Sequence, residues 1–338
     1  MAKVTKKSVT AQDVATHAGV SRAVVSRALS DNGSVAPATK EKVLKSAHDL
    51  GYQINYLAQG LNRKRTRLVG VVVTRLDDPF RAQMLQHLLL AIQQKGYQAL
   101  VMEVRHQDQL QNTLREFIQY RVSGVIITSG QPPAELAKEC TEMNVPVVTV
   151  NRLIEGAPID NVCSDNDDAA RQVLRYCHQH GITTLHWLNS HLSTWSGWDR
   201  GRALNEQQKQ LKLDIALNEI KTESALYEAG FSSGHHFVPN TYQTELVYAA
   251  NSQLACGFLD GLRSRKAAHQ HVHVIGFDDT FVTAQHAYQL STFRQDITAL
   301  ADNALSLLLE REHNPQRAVQ CLRIPVTLIT RATTLHTN

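Results

Sequence analysis

Seven short apolar runs, spaced along the chain between positions 68 and 277, constrain its fold more than any other feature. They read LVGVVVT, YQALVME, GVIITS, VPVVTV, TLHWLN, ELVYAA and VHVIGF. Continuous apolar runs of this length are typical of parallel strands buried on both faces of a sheet. Segments with helical periodicity separate several runs, at 80–95, 110–120 and 167–180. The alternation of strand and helix predicts an α/β fold with doubly wound sheets.

The runs are too numerous for a single sheet, and the chain is long enough for two. Of its 338 residues, roughly 270 follow the N-terminal segment, which is enough for two compact units. We therefore predict two Rossmann-like subdomains. Ligands of doubly wound sheets bind beyond the carboxyl ends of the strands, so polar residues just after a strand are candidates for a small-molecule site.

The segment before the first strand has a different character, with three short helical patterns. Thr10 and Asp13 have the spacing of a capping box, which begins a first helix. Gly19 can take the left-handed conformation that ends a helix, and Ser21 is placed to cap the next one. A third helix is predicted at about 38–50. Two short helices joined by a tight turn are typical of a helix-turn-helix unit, which reads the major groove of duplex DNA.

The second helix of this segment has an inner and an outer face. Val24, Val25 and Ala28 recur at helical spacing and are expected to point inward. An arginine near the start of such a helix can bond a guanine base through two hydrogen bonds. The alternative interpretation is a small three-helix core whose arginines are merely solvated. The candidate DNA contacts of the segment are Thr10, Ser21, Arg22, Ala23, Ser26 and Arg27.

Charge is unevenly distributed along the chain. The net charge is +4, but residues 1–67 alone carry 12 Lys and Arg against 4 Asp and Glu, which gives +8. The remaining residues carry 23 basic against 27 acidic side chains, which gives −4. Positive charge concentrated in one small unit is the electrostatic signature of phosphate binding, although a solvated basic tail would look the same.

Three pieces of the N-terminal segment are DVATHAGVSRAVVSRAL, VAPATKEKV and LGYQINYLAQGL. They resemble the DNA-binding headpiece of the lactose-repressor/galactose-repressor family of bacterial transcription regulators, and the resemblance continues to the C-terminus. It implies an effector-controlled repressor that binds palindromic operator DNA as a homodimer. It also implies a headpiece at 8–54, followed by a hinge helix and linker at 55–67.

In this family the hinge helix orders on operator DNA, and two copies insert leucines into the minor groove. By this resemblance Leu61 is the inserted leucine, and Asn55 and Ala58 face the groove. Gly60 fits a helix poorly, because glycine inside a helix costs about 1 kcal/mol relative to alanine. A flexible linker that contains one leucine is the alternative interpretation.

For the rest of the chain, the resemblance implies a periplasmic-binding-protein-like core of two subdomains. The chain would cross between them three times, near residues 165, 290 and 320. The N-terminal subdomain would comprise 68–165 and 291–320, and the C-terminal subdomain 166–290 and 321–334. A sugar, sugar acid or nucleoside would bind between them and change operator affinity by linkage.

Eight residues are candidates for contacts with that effector. Some follow predicted strands directly, in RLDDPF after the first run and in NR after the fourth. The others match effector positions of the family in STWSGWDRGRAL, AANSQLACG, VIGFDDT and LSTFRQD. Arg75 and Arg152 point to a ligand that is anionic as well as hydroxyl-rich. The eight candidates are Arg75, Asp77, Phe80, Asn151, Arg200, Asn251, Asp278 and Gln295.

Several of these residues also have a plainer structural interpretation. Asp77 or Asp78 could cap a helix and form a turn. Arg200 could be an exposed helix charge, and Asp278 could stabilise the turn after a buried strand. Packing in the core is a safer assignment than stacking on a sugar for the three tryptophans Trp187, Trp195 and Trp198.

The chain departs from the family's pattern at several positions. Ser252 replaces an acidic residue that precedes the family's M-A-x-G sequence, and Ala203 and Leu204 replace a glycine and a phenylalanine. Residues 205–243 match no family pattern. These departures bear on which ligand the pocket takes and leave its location unchanged.

Two other classes of protein share parts of the pattern. An exported solute-binding protein would have the same core, but it would need an export signal and would carry no helix-turn-helix. A sugar-processing enzyme would need two carboxylates that nothing in the sequence singles out. The G-x-G-x-x-G, phosphate-loop, G-x-S-x-G and H-E-x-x-H motifs do not occur. We therefore expect no enzymatic activity and no cofactor.

Neither a metal site nor a membrane association is predicted. His235 and His236 lack a third ligand at metal-binding spacing. The five cysteines are scattered and odd in number, and we expect them to be reduced thiols of a cytoplasmic protein. No apolar run has the length of a membrane span, and residues 1–9 lack the apolar core of an export signal. The end TLHTN lacks the leucine repeat of a tetramerising tail.

Overall fold

A computed structural model of the chain describes residues 9–29, 34–53, 66–105, 107–128, 139–140, 142–154, 159–192, 194–265 and 271–334. The chain divides into two compact units, and the division falls between Thr66 and Arg67. In the part that is described, no helix is long and apolar enough to cross a membrane.

The smaller unit contains three helices, α1 at Ala11–Ala18, α2 at Arg22–Ala28 and α3 at Pro37–Asp49. Thr10 begins α1 in the predicted capping box: its hydroxyl accepts a hydrogen bond from the N–H of Asp13, and the Asp13 carboxylate accepts one from the N–H of Thr10. These reciprocal bonds satisfy donors that the start of a helix leaves open. The predicted helix-turn-helix unit is confirmed.

The turn between α1 and α2 has the predicted glycine geometry. Gly19 has a φ of +60°, in the left-handed region, and its N–H bonds back to the last turn of α1. Ser21 caps α2 by accepting a hydrogen bond from the N–H of Val24 at 3.3 Å. The three helices meet around the fully buried side chains of Val14, Val25 and Val43.

The larger unit alternates strands and helices as predicted. In chain order its elements are β1 Leu68–Val73, α4 Pro79–Gln94, β2 Gln98–Glu103, α5 Gln107–Gln119, β3 Gly124–Ile127, β4 Val147–Val150, β5 Asp160–Ser164, α6 Asn166–Gln179, β6 Thr184–Ser190, α7 Trp195–Leu211, β7 Ala216–Thr222, α8 Tyr227–His236, β8 Glu245–Ala249, α9 Ser252–Arg263, β9 Val272–Phe277, β10 Ser291–Gln295, α10 Ile297–His313, β11 Cys321–Ile324 and β12 Val326–Ile329.

These strands form two six-stranded sheets. The order in the first sheet is β11-β5-β4-β3-β1-β2, and its neighbours are parallel. The order in the second sheet is β12-β10-β9-β8-β6-β7, in which β12 runs antiparallel to β10 and the other neighbours are parallel. Helices pack on the sheets, so the two predicted doubly wound subdomains, hereafter the first and second lobes, are confirmed.

Two of the predicted crossings between the lobes are displaced by one strand each. The predicted boundary at 290 is wrong, because β10 pairs with β9 and β12 in the second sheet. The predicted boundary at 320 is wrong for the same reason, because β11 pairs with β5 in the first sheet. The chain therefore changes sheets just after Gln295 and just after Ile324. Between these points α10 packs against the first sheet.

Residues 205–243, which match no family pattern, form the end of α7, then β7 and α8. Helix α8 packs on α9 through glycines of both helices. A Cβ on Gly234 would lie 2.0 Å from the carbonyl oxygen of Phe258, and a Cβ on Gly257 would lie 2.0 Å from that of Tyr227. The two helix backbones are thus in direct contact. Only residues without a Cβ allow helices to approach so closely.

Candidate functional site

The outer face of α2 presents the side chains that were predicted to contact DNA. Arg22, Ala23, Ser26 and Arg27 are all exposed. The Arg27 Nε donates a hydrogen bond to the carbonyl oxygen of Ala23 at 3.3 Å, which holds its stem along the helix. An exposed, helix-borne pair of guanidinium groups with small residues beside them has the composition of a major-groove reader.

Two other predicted DNA contacts have structural roles in the smaller unit. Thr10 and Ser21 are exposed, but their hydroxyl groups form the caps of α1 and α2. If either hydroxyl group also contacts a DNA phosphate, it must do so while it caps its helix. The predicted hinge contacts Asn55, Ala58 and Leu61 lie outside the described residues.

A cavity of about 610 Å³ opens in the larger unit, and its wall contains all eight predicted effector residues. The cavity lies at the carboxyl ends of β1, β4 and β9, where ligands of doubly wound sheets bind. It also lies at the N-terminal ends of α4, α7 and α9. Residues of both lobes line it, which places it at the junction of the two sheets.

Just after each of three strands, one residue at this cavity has a left-handed backbone conformation. The φ angles are +49° at Arg75, after Thr74 and β1, +52° at Asn151, after β4, and +92° at Asp278, after β9. Such angles cost free energy in residues other than glycine, and they persist where the surrounding structure fixes them. The strained turns aim these side chains at the cavity.

Asp278 and Arg200 are both buried and lie next to each other. The Arg200 Nη2 is 4.0 Å from the Asp278 Oδ1, and the Arg200 guanidinium stacks 3.4 Å above the ring of Phe277. The Nε of Arg200 donates to the Oδ1 of Asn166 at 3.2 Å, and its Nη1 donates to the carbonyl oxygen of Ala250. Arg200 lies in the second turn of α7, on the same side of the cavity as Asp278.

Burial dominates the ionisation of this pair. It raises the pKa of Asp278 to about 6, although the attraction of Arg200 and a hydrogen bond from Gln295 both act to lower that pKa. Burial likewise lowers the pKa of Arg200, against the attraction of Asp278. At 4.0 Å and with little solvent, the attraction between Asp278 and Arg200 offsets only part of the cost of burying their charges. Ligand groups that hydrogen-bond to the pair would offset more of that cost.

Gln295 connects the two lobes beneath the cavity. Its Oε1 accepts hydrogen bonds from the Asn151 Nδ2 at 2.9 Å and the Ser164 Oγ at 2.6 Å, both in the first lobe. Its Nε2 donates to the Asp278 Oδ1 at 2.6 Å in the second lobe. The Asn151 Oδ1 in turn accepts from the N–H of Ser164 at 2.9 Å. Polar groups of both lobes therefore form one buried network that ends at the cavity.

Two lining residues cap helices: Asp78, for which the sequence allowed this role, and Asn251, for which it was not predicted. Asp78 accepts hydrogen bonds from the N–H groups of Phe80 and Arg81 at the start of α4. Asn251 caps α9 through its Oδ1 and donates from its Nδ2 to the carbonyl oxygen of Ala225 at 3.1 Å. Asp77 is exposed in the same wall.

The tryptophans divide between core and cavity. Trp187 is buried in the core of the second lobe, as predicted, and Trp198 is 55% exposed. Trp195 lines the cavity, with the Arg323 guanidinium 5.7 Å from its ring. The assignment of all three tryptophans to the core is wrong, because α7 begins at Trp195 and its first turn faces the cavity.

Several lining residues were not predicted from the sequence. Glu103 is the last residue of β2 and Arg105 lies two positions beyond it, so the rule that ligands bind at strand ends could have identified both. Arg81 lies one turn into α4, and Ser196 and Gly197 lie in the first turn of α7. These three residues reach the cavity wall only because of how α4 and α7 pack in the folded chain. A local sequence pattern does not predict that packing.

No metal centre is found among the described residues. His235 and His236 are exposed, and their Nδ1 atoms lie within hydrogen-bond distance of the Ser264 Oγ and the Ser232 carbonyl oxygen. Both rings are thus used in local contacts at the end of α8.

Comparison with known proteins matches both units. Residues 10–55 match the family model "Bacterial regulatory proteins, lacI family". Residues 66–308 match the model "Periplasmic binding proteins and sugar binding domain of LacI family". Together they cover the exposed face of α2 and most of the residues around the cavity.

Relatives match along almost the whole chain. The ribose operon repressor of Bacillus subtilis (strain 168) is 31% identical over 332 residues, which cover 96% of this chain and 98% of that protein. The HTH-type transcriptional regulator GalS of Salmonella typhimurium is 29% identical over 307 residues, 89% of each chain. Among solved structures, the lac repressor dimer bound to operator and the anti-inducer ONPF superimposes with a TM-score of 0.81 at 25% identity, covering 98% of this chain and 100% of that one.

Proposed function

The chain belongs to the lacI family of bacterial regulatory proteins, and from this we propose that it represses transcription as a homodimer on a palindromic operator, under the control of a small molecule in the cavity. One observation carries the proposal: a single chain combines an exposed basic face on a capped second helix with a cavity lined by both lobes of a separate unit. DNA lies in the bacterial cytoplasm, so we propose that the protein acts there.

In the proposed complex α2 reads the major groove. Arg22 and Arg27 are placed to contact base edges, and Ala23 can contact a thymine methyl group. The remaining positive charge of residues 1–67 would bind phosphates and so position the unit without specifying sequence.

We propose that the cavity binds its ligand without transforming it. Three of its four lining carboxylates have structural partners: Asp278 lies beside Arg200 and accepts from Gln295, Glu103 pairs with Arg105 at 3.7 Å, and Asp78 caps α4. A hydroxyl-rich ligand, such as a sugar, would bond to the amides and to the Arg200–Asp278 pair.

Selection of duplexes from a random pool by the full-length chain tests the proposal. We expect an inverted repeat to be enriched, with an affinity at least 1000-fold above that for unrelated duplex at the same salt concentration. Enrichment of no sequence, or of a site without two-fold symmetry, would contradict the proposal. Arg22→Ala, which leaves the cavity intact, is the matched control for the DNA-binding face.

A further inference from the structure

The first-lobe wall of the cavity is rich in guanidinium groups. Arg75, Arg81, Arg105 and Arg152 all line it. Arg105 has a partner in the same wall, since its Nη2 lies 3.7 Å from the Oε2 of Glu103. Arg81 is turned back onto its own lobe, where its Nη1 donates to the carbonyl oxygen and the hydroxyl group of Thr74.

Arg75 differs from Arg81 and Arg105, because one of its donors is buried without an acceptor among the described residues. Its Nη2 has no hydrogen-bond partner among the described residues and is inaccessible to solvent. The residue follows β1 in a left-handed conformation that turns its side chain into the cavity wall. A buried donor left unsatisfied destabilises the structure, and more so when it is charged. Arg75 as a whole is half-buried in the cavity wall, so its guanidinium can turn toward an acceptor that a ligand supplies and recover that free energy.

The cations of this wall also repel each other. Burial lowers the pKa of Arg81, and repulsion by Arg75 lowers it further, against the attraction of Asp78, Asp278 and Asp77. Burial lowers the pKa of Arg152 as well. Three carboxylates, Asp77, Asp78 and Glu103, stand in the same wall against its four guanidinium groups, and Asp78 already accepts two N–H groups of α4 and lies 3.4 Å from the Gln253 Nε2. The wall therefore favours a further negative charge.

The second-lobe wall has a different character, because its positive and negative groups lie side by side. Arg200 and Asp278 lie 4.0 Å apart, and the Asp278 Oδ1 also accepts from Gln295. With Asn251 beside them, this wall offers mixed donors and acceptors, which suit neutral hydroxyl groups. A ligand that spans the cavity would meet cations at one end and hydroxyl-binding groups at the other.

We propose that the first-lobe wall is an oxyanion subsite centred on Arg75, and that the ligand is a polyhydroxylated small molecule with a carboxylate or phosphate group. The oxyanion accepts from Arg75 and neutralises Arg81 and Arg152, and the hydroxyl groups bond to Arg200, Asp278 and Asn251. A planar guanidinium binds either oxyanion through two parallel hydrogen bonds. The inference rests on the proposed function, because it assumes that the cavity is the regulatory site.

Matched pairs of sugars test the charge of the ligand. The pairs are D-glucose with D-gluconate, D-galactose with D-galacturonate, and D-ribose with D-ribose 5-phosphate, each added to the full-length chain. All three tryptophans lie in the larger unit, so the melting temperature followed by tryptophan fluorescence reports on that unit. We expect at least one charged member to raise it where its neutral partner and sodium chloride of equal ionic strength do not. The carboxylate and phosphate pairs distinguish the two oxyanions.

Arg75→Gln then tests the subsite itself. Glutamine keeps a hydrogen-bond donor and removes the charge, so affinity for the charged ligand should fall roughly 10- to 100-fold. Arg175→Gln, which removes an equal charge from an exposed position on α6, is the control and should bind as the wild type does.

Three results would overturn the subsite: no charged member raises the melting temperature, a neutral member binds as tightly as its charged partner, or Arg75→Gln binds the charged ligand unchanged. Operator binding separates this inference from the proposed function. A neutral sugar that changes operator affinity would refute the oxyanion subsite and leave the regulator intact. A chain without sequence preference for DNA would refute the regulator whichever ligand binds.

Discussion

At the scale of single residues, the cavity is held together by side chains that bond to one another before any ligand enters. The clearest case is Gln295, whose amide joins Asn151 and Ser164 of one lobe to Asp278 of the other. The sequence placed Gln295, Asn151 and Asp278 at the cavity, because each ends a strand or matches the family there. It could not show that they bond to one another, since Asn151 and Ser164 lie 144 and 131 positions from Gln295, and even Asp278, 17 positions away, follows another strand.

The ionisation of Asp278 should make stability depend on pH. Burial raises its pKa from 3.8 to about 6, so the folded chain retains a proton there that the unfolded chain has released. Its contribution to stability is therefore fully present below pH 3.8 and is lost as the pH rises through about 6. Asp278→Asn cannot ionise. We therefore expect the melting temperature of Asp278→Asn to rise relative to that of the wild type by several degrees between pH 5 and pH 8, as measured by tryptophan fluorescence.

The control for this measurement is Asp77→Asn, whose carboxylate lines the same cavity but is exposed. Its melting temperature should keep a constant difference from the wild type across the same range. A constant or falling difference for Asp278→Asn would show that the carboxyl group is not perturbed by burial.

Arg22 is predicted to read a base. Arg22→Ala should weaken operator binding by about 1–3 kcal/mol and relax the base preference at one position of each half-site. Competition binding with single-base variants of the selected operator measures both effects. Lys45→Ala removes an exposed charge from α3 and should leave the preference unchanged. If Arg22→Ala weakens binding equally for all duplexes, the arginine contacts only phosphate.

At the scale of helices and strands, the sequence predicted the strands whose apolar pattern is strong and missed those with many polar residues, which are the internal strands β5 and β10 and the edge strands β7, β11 and β12. The buried runs of β1, β8 and β9 were recognised because both faces of each strand are apolar. Strand β7, at the edge of the second sheet, alternates exposed and half-buried residues with charges, so it resembles a loop. Short strands β11 and β12 are also edge strands, and their sheet membership depends on pairing rather than on composition.

The glycines of α8 and α9 should be sensitive to a single methyl group. In an open helix, Gly→Ala stabilises by about 1 kcal/mol. Gly234→Ala should instead destabilise the larger unit by about 1–3 kcal/mol, because its Cβ would overlap the Phe258 carbonyl oxygen at 2.0 Å. Denaturant unfolding followed by tryptophan fluorescence measures the difference. Ser232→Ala, on an exposed position of the same helix, is the control. A stabilised Gly234→Ala chain would mean that the helices can separate at little cost.

At the scale of the whole molecule, the cavity is where the chain changes lobe. The crossings after Gln295 and Ile324 follow strands that end at or near the cavity, and further contacts join the lobes there. The Arg323 Nη1 of β11 donates to the Asp199 Oδ2 of α7 at 3.0 Å. A ligand that bonds to both walls would therefore act on the contacts that set the relative position of the lobes.

Arg200→Lys should separate sensing from DNA binding. Lysine keeps a positive charge beside Asp278 but lacks the fork of donors and the planar face that stacks on Phe277. We expect ligand affinity to fall by about 1–3 kcal/mol, while operator affinity without ligand is retained. Titration calorimetry and anisotropy measure the two quantities. Unchanged ligand affinity, with the fold intact by circular dichroism, would place the ligand away from Arg200.

The most direct test of the account is the operator affinity of the full-length chain, measured by fluorescence anisotropy at increasing concentrations of the ligand that stabilises the larger unit. If the cavity controls DNA binding, saturating ligand should change that affinity by roughly 5- to 150-fold, and bound operator should change the ligand affinity by the same factor. The same operator affinity with and without saturating ligand would contradict the account, because a ligand that does not distinguish the two states cannot regulate.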